Sequence, residues 1–190
     1  MASDNLRSST AEALRRYYTE DPVEKRHLKR MLALVEIGGD PFARDHFEPG
    51  HFTASAFVVS PDRSRVLLIL HRKLKRWLQP GGHIDLDDGD PQRASMREVQ
   101  EETGLQRLRP LGDGLLDVDV HAIPPLGDEP GHEHFDLRYC FTSDEQGSDE
   151  SDEIDGLQWV ALTEVASLKT DDSVRRAAAR LLDRWRSVQA

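Results

Sequence analysis

The chain has 190 residues, of which 32% are charged and 37% hydrophobic. This length allows one domain with a sizeable core, or one domain with an appended helical segment. With 25 basic and 35 acidic residues the net charge is −10, which argues against general binding to long nucleic acid. No apolar run approaches the length of a transmembrane helix, and the first residues lack the pattern of a signal peptide. We therefore expect a cytoplasmic protein without a membrane partner.

The first 49 residues are predicted to be helical. A first helix is expected over residues 10–18. A second one begins at Asp21-Pro22, with Glu24 completing a pattern similar to a capping box, and ends at Gly38-Gly39. We expect this lead-in to pack on the domain that follows. A dimer contact and part of a substrate lid are the alternatives.

From residue 51 the spacing of apolar residues becomes strand-like. Residues 52–59 and 65–70 are predicted strands joined by the turn at residues 60–63, and thus a hairpin. The single cysteine, Cys140, lies in another strand-like run, where packing is a better interpretation than nucleophilic chemistry. The remaining predicted elements are strands at 115–123, 134–141 and 157–160, a short helix at 163–168, and a last helix from Asp171 or Asp172.

Residues 82–105 combine a glycine turn with a capped helix. Asp90 is a good N-cap, and Pro91 fits the first helical position because its missing N–H is not needed there. Gly104 fits the position just after a helix, where a positive φ is common. The sequence therefore predicts a helix over about residues 91–103.

Three carboxylates share one face of this predicted helix. Glu98, Glu101 and Glu102 fall within an arc of about 100° at 3.6 residues per turn. Like charges at this spacing repel each other, so the group is favourable only where a cation binds. Mg²⁺ and Mn²⁺ prefer oxygen ligands and share their coordination with substrate phosphates. The alternative is a solvated, glutamate-rich surface helix.

The sequence around this face resembles the Nudix box of the Nudix hydrolase (MutT-like) family. Residues 97–105, Arg-Glu-Val-Gln-Glu-Glu-Thr-Gly-Leu, match the second half of that box at every defined position, and Pro80-Gly81-Gly82 resembles its opening turn. From Gly82 to Arg97 there are fifteen positions where the family has fourteen, which indicates one inserted loop residue. The mid-box glutamate has no direct counterpart, and Asp87 or Asp88 is the nearest carboxylate.

The resemblance implies an α/β fold, specifically an α/β/α sandwich with a mixed β-sheet over residues 50–190. Residues 1–49 would be an N-terminal helical extension. It also implies a Mg²⁺- or Mn²⁺-dependent pyrophosphohydrolase that cleaves a nucleoside diphosphate linked to another moiety. Family members often form homodimers, so a homodimer is possible.

The resemblance also implies roles for the residues of the box. Glu101 and Glu102 would be metal ligands, Gly82 would offer its carbonyl oxygen, and Glu98 would act as a ligand or as the general base. Arg97 would orient the glutamates. Which glutamate is the base cannot be decided from spacing.

Two charged segments outside the helix are further candidates. Residues 71–76 place four fixed positive charges before the glycine turn, and there Arg72 and Lys73 are predicted to contact substrate phosphates. His83, by its position after Gly82, is a candidate for contact with the leaving group of the substrate. A solvated strand end is the alternative. Seven of the twelve residues in 144–155 are acidic, which is typical of a solvated loop. This segment could instead supply another carboxylate, for which Glu150 and Glu153 are the candidates.

His132, His134 and Asp136 would share one face of a strand. They could bind a transition metal or line the substrate cleft, or they could be ordinary polar-face residues. Two rival functions remain at this point. One is a non-catalytic nucleotide-sensing domain on the same fold, and the other is a prenyl diphosphate isomerase, for which Cys140 is the only candidate catalytic cysteine.

Overall fold

Four α-helices and eight strands are described by a computed structural model, which covers residues 2–148 and 151–189. Two single-turn 3-10 helices lie at Leu86–Asp88 and Val165–Ser167. The chain divides into two compact units: unit 1 contains residues up to 55, 82–95 and 112–139, and unit 2 contains 56–81, 96–111 and the residues from 140 onward. In chain order the elements are α1 (Ala2–Arg16), α2 (Pro22–Val35), β1 (Gly50–Val59), β2 (Arg65–His71), β3 (Arg76–Leu78), β4 (Gly81–His83), α3 (Pro91–Thr103), β5 (Arg109–Pro110), β6 (Asp117–Ile123), β7 (His132–Thr142), β8 (Ile154–Ala161) and α4 (Asp172–Gln189).

In unit 1 helix α2 contacts strands β6 and β7, and α1 packs on α2. The Tyr17 hydroxyl donates to the Glu24 carboxylate at 2.8 Å and lies 3.3 Å from the carbonyl oxygen of Leu116. On α2, Arg30 forms an ion pair with Glu133 of β7. These contacts hold the predicted lead-in against the strands of the same unit. The boundary at residue 49 itself stays a prediction.

The sheet is mixed, because β1 and β7 run parallel. In unit 1 the Glu133 N–H donates to the Pro49 carbonyl (3.1 Å), and in unit 2 the Ser143 N–H donates to the Val59 carbonyl (3.2 Å). In both pairs the two residues are 84 positions apart in the chain. A constant separation along the pairing is a property of parallel strands, since it changes from pair to pair in antiparallel ones. The pairs β1–β2, β2–β3, β2–β8, β5–β7 and β6–β7 are antiparallel. The α/β fold with a mixed sheet and an N-terminal helical extension is thus confirmed.

The core of unit 2 forms around strand β2. This strand pairs with β1, β3 and β8, and its residues Val66, Leu67 and Leu68 are fully buried. Helix α4 contributes an apolar stripe to the same core, through residues that recur at helical spacing: Val174, Ala177, Ala178 and Leu181. The predicted hairpin of β1 and β2 is observed, with Val58 opposite Leu67.

The structure differs from the sequence prediction at several element ends. Helix α1 begins at Ala2, well before residue 10, and α2 ends at Val35, before the glycine pair. Strands β3 and β4 were not predicted, because three-residue strands show no alternation. The helix predicted at 163–168 is only the 3-10 turn Val165–Ser167. Within the described ranges, no helix has both the length and the apolar character needed to cross a bilayer.

Candidate active site

Helix α3 has the bounds that its end signals predict. The Asp90 carboxylate accepts the Arg93 N–H at 3.0 Å, which satisfies a free donor of the first turn. At the other end Gly104 has φ = 71°, and its N–H donates to the carbonyl oxygen of Gln100 at 2.9 Å. A residue with a Cβ is disfavoured at this φ, so the glycine sets where the helix stops.

The three glutamates of α3 differ strongly in exposure. The residue Glu102 is 5% exposed, whereas the side chains of Glu98 and Glu101 are 13% and 60% exposed. Arg97 lies beside them, and its Nη1 donates to Glu98 Oε1 at 2.9 Å and to Glu101 Oε2 at 3.1 Å. The carboxylates thus run from the buried edge of the helix to its solvent edge, and one guanidinium fixes two of them.

Glu102 is a buried acid whose surroundings oppose ionisation. Burial, together with the negative charges of Glu98, Glu153 and Glu101, raises the pKa of Glu102 to about 8, while the Gly81 N–H, which donates to Oε2 at 2.8 Å, acts in the opposite direction. Burial also raises the pKa of Glu98, against the lowering effect of Arg97. A bound cation would offset both the burial and the repulsion.

Of the two carboxylates predicted outside the box, the structure describes one. The charge of Glu153 contributes to the raised pKa of both Glu98 and Glu102, so it lies close enough to act on them. Glu150 lies outside the described residues. Near this position the acidic segment is held by contacts: Glu145 accepts the N–H groups of Gln106 and Arg107, both at 2.7 Å.

The basic segment before the glycine turn is used largely in ion pairs. Arg72 donates to Asp155 at 2.9 Å and to the carbonyl oxygen of Ile154 at 2.9 Å. Lys75 also pairs with Asp155. Lys73 is exposed and makes no ion pair with the described part of the chain. Of the two predicted phosphate contacts, Lys73 is therefore the one with an uncommitted charge.

The opening turn of the box lies partly in unit 1. There Gly82 is half-buried in β4, and the ring of His83 stacks on that of His51 with centroids 5.1 Å apart. Asp88, a candidate for the missing mid-box carboxylate, accepts the Asp85 N–H at 2.8 Å and so closes the 3-10 turn. Asp87, the other candidate, is exposed.

The predicted face of His132, His134 and Asp136 is only partly a cluster. Asp136 is turned to other partners, because it accepts the Ser55 hydroxyl at 2.8 Å and the Arg138 guanidinium at 2.7 Å. His51 takes its place: ring nitrogens of His51, His132 and His134 lie within 4.8 Å of one another. The sequence prediction missed His51 because this contact depends on the parallel pairing of β1 with β7.

Cys140 is buried in β7, as expected for a packed residue. Burial raises the pKa of its thiol to about 12, so the thiolate is scarce at neutral pH.

A family model described as the NUDIX domain matches residues 50–182. The curated proteins compared gave no match. Among solved structures the chain is similar to a MutT Nudix hydrolase from Burkholderia pseudomallei, with 26% identity over 68% of this chain and 95% of that chain and a TM-score of 0.51. It is also similar to a MutT protein from Methanosarcina mazei Go1 (19% identity, 71% and 94% covered, TM-score 0.57) and to an Ap4A hydrolase from C. elegans (13% identity, 72% and 98% covered, TM-score 0.51).

Proposed function

The chain belongs to the Nudix family and is a hydrolase of phosphoanhydride bonds, and from this we propose a Mg²⁺- or Mn²⁺-dependent pyrophosphohydrolase that cleaves a nucleoside diphosphate linked to another moiety. The observation that carries the proposal is the carboxylate face of α3. Glu98, Glu101 and Glu102 lie together there, with Arg97 bonded to the first two and the Gly81 N–H bonded to the third.

The donor set of this face fits a hard divalent cation. Its side-chain donors are carboxylate oxygens, which Mg²⁺ and Mn²⁺ prefer. Glu102 is buried among like charges, and a cation is the simplest means of stabilising its ionised form. We propose Glu101 and Glu102 as ligands, Glu98 as a ligand or the general base, and the carbonyl of Gly82 as a further ligand.

Proton acceptance and contact with the substrate phosphates would fall to different side chains of the chain. A bound divalent cation neutralises phosphate charge and lowers the pKa of water. Glu98 is mostly buried, and Arg97 fixes one of its oxygens, so it is suited to accept a proton in a defined direction. Glu153 would be an additional carboxylate near Glu98 and Glu102, able to accept the same proton. Lys73 is an exposed cation and would contact a substrate phosphate. Arg72 and His83 stay predicted substrate contacts.

The rival functions differ in what the site would have to do. A nucleotide-sensing domain does not need the glutamates of the box, yet all three are present on α3. An isomerase would need an accessible thiol, whereas Cys140 is buried with its pKa raised to about 12. A nucleotide-type substrate is proposed accordingly, while the cytoplasmic location and the homodimer stay predictions.

A substrate panel tests the proposal. Nucleoside triphosphates, ADP-ribose, sugar nucleotides and dinucleoside polyphosphates are incubated with the protein in Mg²⁺, Mn²⁺ or chelator, and nucleotide release is measured by chromatography. We expect at least one compound to be cleaved only with metal. Glu102→Gln should lower this rate by at least about 100-fold, the scale of a lost acid–base or charge-stabilising group, because it removes a buried negative ligand.

The matched control is Glu12→Gln, which changes an exposed glutamate of α1 and should keep the full rate. Binding of a nucleotide without cleavage of any compound would favour the sensing function. An unchanged rate in Glu102→Gln would contradict the proposed role of that carboxylate.

A further inference from the structure

A second group of possible metal ligands lies in unit 1 and consists of imidazoles. His132 and His134 occupy alternate positions of β7, so their side chains are on the same face of the strand. His51 follows at the start of β1, the parallel neighbour of β7. The three rings converge, with centroid distances of 5.0 Å (His51–His132), 4.8 Å (His51–His134) and 5.2 Å (His132–His134).

Contacts to backbone carbonyl oxygens favour, in two of these rings, the tautomer that leaves Nε2 available to a metal. Nδ1 of His132 lies 2.9 Å from the carbonyl oxygen of Pro130, and Nδ1 of His51 lies 3.4 Å from that of His46. A carbonyl oxygen only accepts, so Nδ1 carries the proton in both rings and Nε2 keeps its lone pair. Histidines that bind metals commonly donate their other ring nitrogen to a carbonyl in this way.

The lone pair on Nε2 of His51 accepts no hydrogen bond from the described residues. The residue is 1% exposed, and its Nε2 is a buried atom without a hydrogen-bond partner among the described residues. Buried polar atoms without partners are rare in native proteins because they lose the hydration energy of the unfolded state. A cation bound by the three imidazoles would take up this lone pair.

We propose that His51, His132 and His134 form a binding site for a transition-metal ion of the Zn²⁺ class, separate in chemistry from the carboxylate face of α3. Neutral imidazole nitrogen is a ligand for Zn²⁺ and not for Mg²⁺. With Zn–N bonds of about 2.0–2.1 Å, tetrahedral geometry places nitrogens about 3.4 Å apart. The ring nitrogens now lie within 4.8 Å of one another, and rotation of the rings would bring them to this spacing. A water molecule would occupy the fourth position. The site does not depend on the proposed hydrolysis.

Cobalt titration tests this site directly. The metal-free protein is titrated with Co²⁺ in the presence of excess Mg²⁺, which occupies the carboxylates, and visible absorption reports tetrahedral nitrogen coordination. Zn²⁺ is then added as a competitor. We expect one equivalent of Co²⁺ to bind with tetrahedral bands, and Zn²⁺ to displace it. Glu102→Gln should give the same bands, so a failure of the proposed hydrolysis would leave this result intact.

Asparagine variants identify the ligands. His132→Asn keeps a donor near the Pro130 carbonyl but removes Nε2, and His134→Asn removes the second ring of β7. Loss of a supporting hydrogen bond alone costs about 10–100-fold in metal affinity, so each variant should lose at least about 100-fold. Both variants are checked for native circular dichroism.

The control is His121→Asn. Its ring touches that of His134 at 5.6 Å, but its Nδ1 pairs with Asp119. It should bind Co²⁺ as the wild type does. Octahedral-type bands in the wild type, unchanged affinity in folded His132→Asn and His134→Asn, or an equal loss in His121→Asn would each overturn the proposal.

Discussion

Glu102 is a buried acid that couples the stability of the fold to pH. Its pKa is raised to about 8 in the folded chain, whereas an unfolded glutamate titrates near 4.5. Between these values the folded state holds a proton that the unfolded state has lost. The free energy of unfolding therefore falls as pH rises through this range.

We predict that the chelator-treated protein loses stability between pH 5 and pH 8, by roughly 3 kcal/mol, through this residue. Urea unfolding at both pH values measures the loss. Glu102→Gln should remove most of the dependence, and Glu12→Gln should keep it. A pH dependence that is equal in wild type and Glu102→Gln would show that this carboxylate is not responsible.

Cys140 gives a second prediction at the residue scale. Because burial raises the pKa of its thiol to about 12, the native protein should react with a thiol reagent far more slowly than the urea-unfolded chain. Cys140→Ser should retain nucleotide hydrolysis, since the thiol has no part in it. Rapid labelling of the native protein, or loss of hydrolysis in a folded Cys140→Ser, would speak for a chemical role of the thiol.

At the scale of elements, the parallel pairing of β1 and β7 depends on a glycine. A Cβ on Gly50 would lie 1.8 Å from the carbonyl oxygen of Glu133, which is main chain and cannot move aside cheaply. Gly50→Ala should destabilise the protein by more than about 3 kcal/mol, as measured by urea unfolding. Gly38→Ala, where a Cβ meets nothing within 4 Å, is the control and should change little. Similar stabilities of the two variants would contradict the close approach of the strands.

The elements also show what the sequence could predict. Helix α3 was predicted with its observed bounds because its start and its end are set by local signals, Asp90-Pro91 and Gly104. Strands β3 and β4 escaped prediction because each is only three residues long and has no period of its own.

The same distinction applies to the two sites. The carboxylate face of α3 lies within a few residues of one helix, so spacing alone predicts it. The partnership of His51 with His132 joins positions that are far apart in the chain, and it arises from strand pairing that no local pattern encodes. Asp136 shares the strand face with the histidines, as its spacing predicts, but its partners are set by other contacts that spacing does not encode. Its charge is used by Arg138, which also contacts Asp117 and lies in the interior.

At the scale of the whole molecule, the net charge is −10, and the acidic side chains differ in how far they are paired with basic ones. Part of the acidic segment at 144–155 is neutralised by Arg72, Lys75 and Arg107. Among the described residues, Arg97 pairs with two of the α3 glutamates, Glu98 and Glu101, so this face of the helix carries more acidic than basic side chains. Cations are therefore expected to gather at this helix, and imidazole nitrogen to select a softer ion in unit 1.

The most direct measurement is calorimetric titration of Mn²⁺ or Mg²⁺ into the protein together with a nucleoside diphosphate analogue whose bridging oxygen is replaced by a methylene group. We predict metal uptake in the wild type and in Glu12→Gln, and at least about 100-fold weaker uptake in Glu102→Gln, because a buried ligand is lost. Equal uptake in wild type and Glu102→Gln, or none in either, would contradict a metal-dependent site on α3.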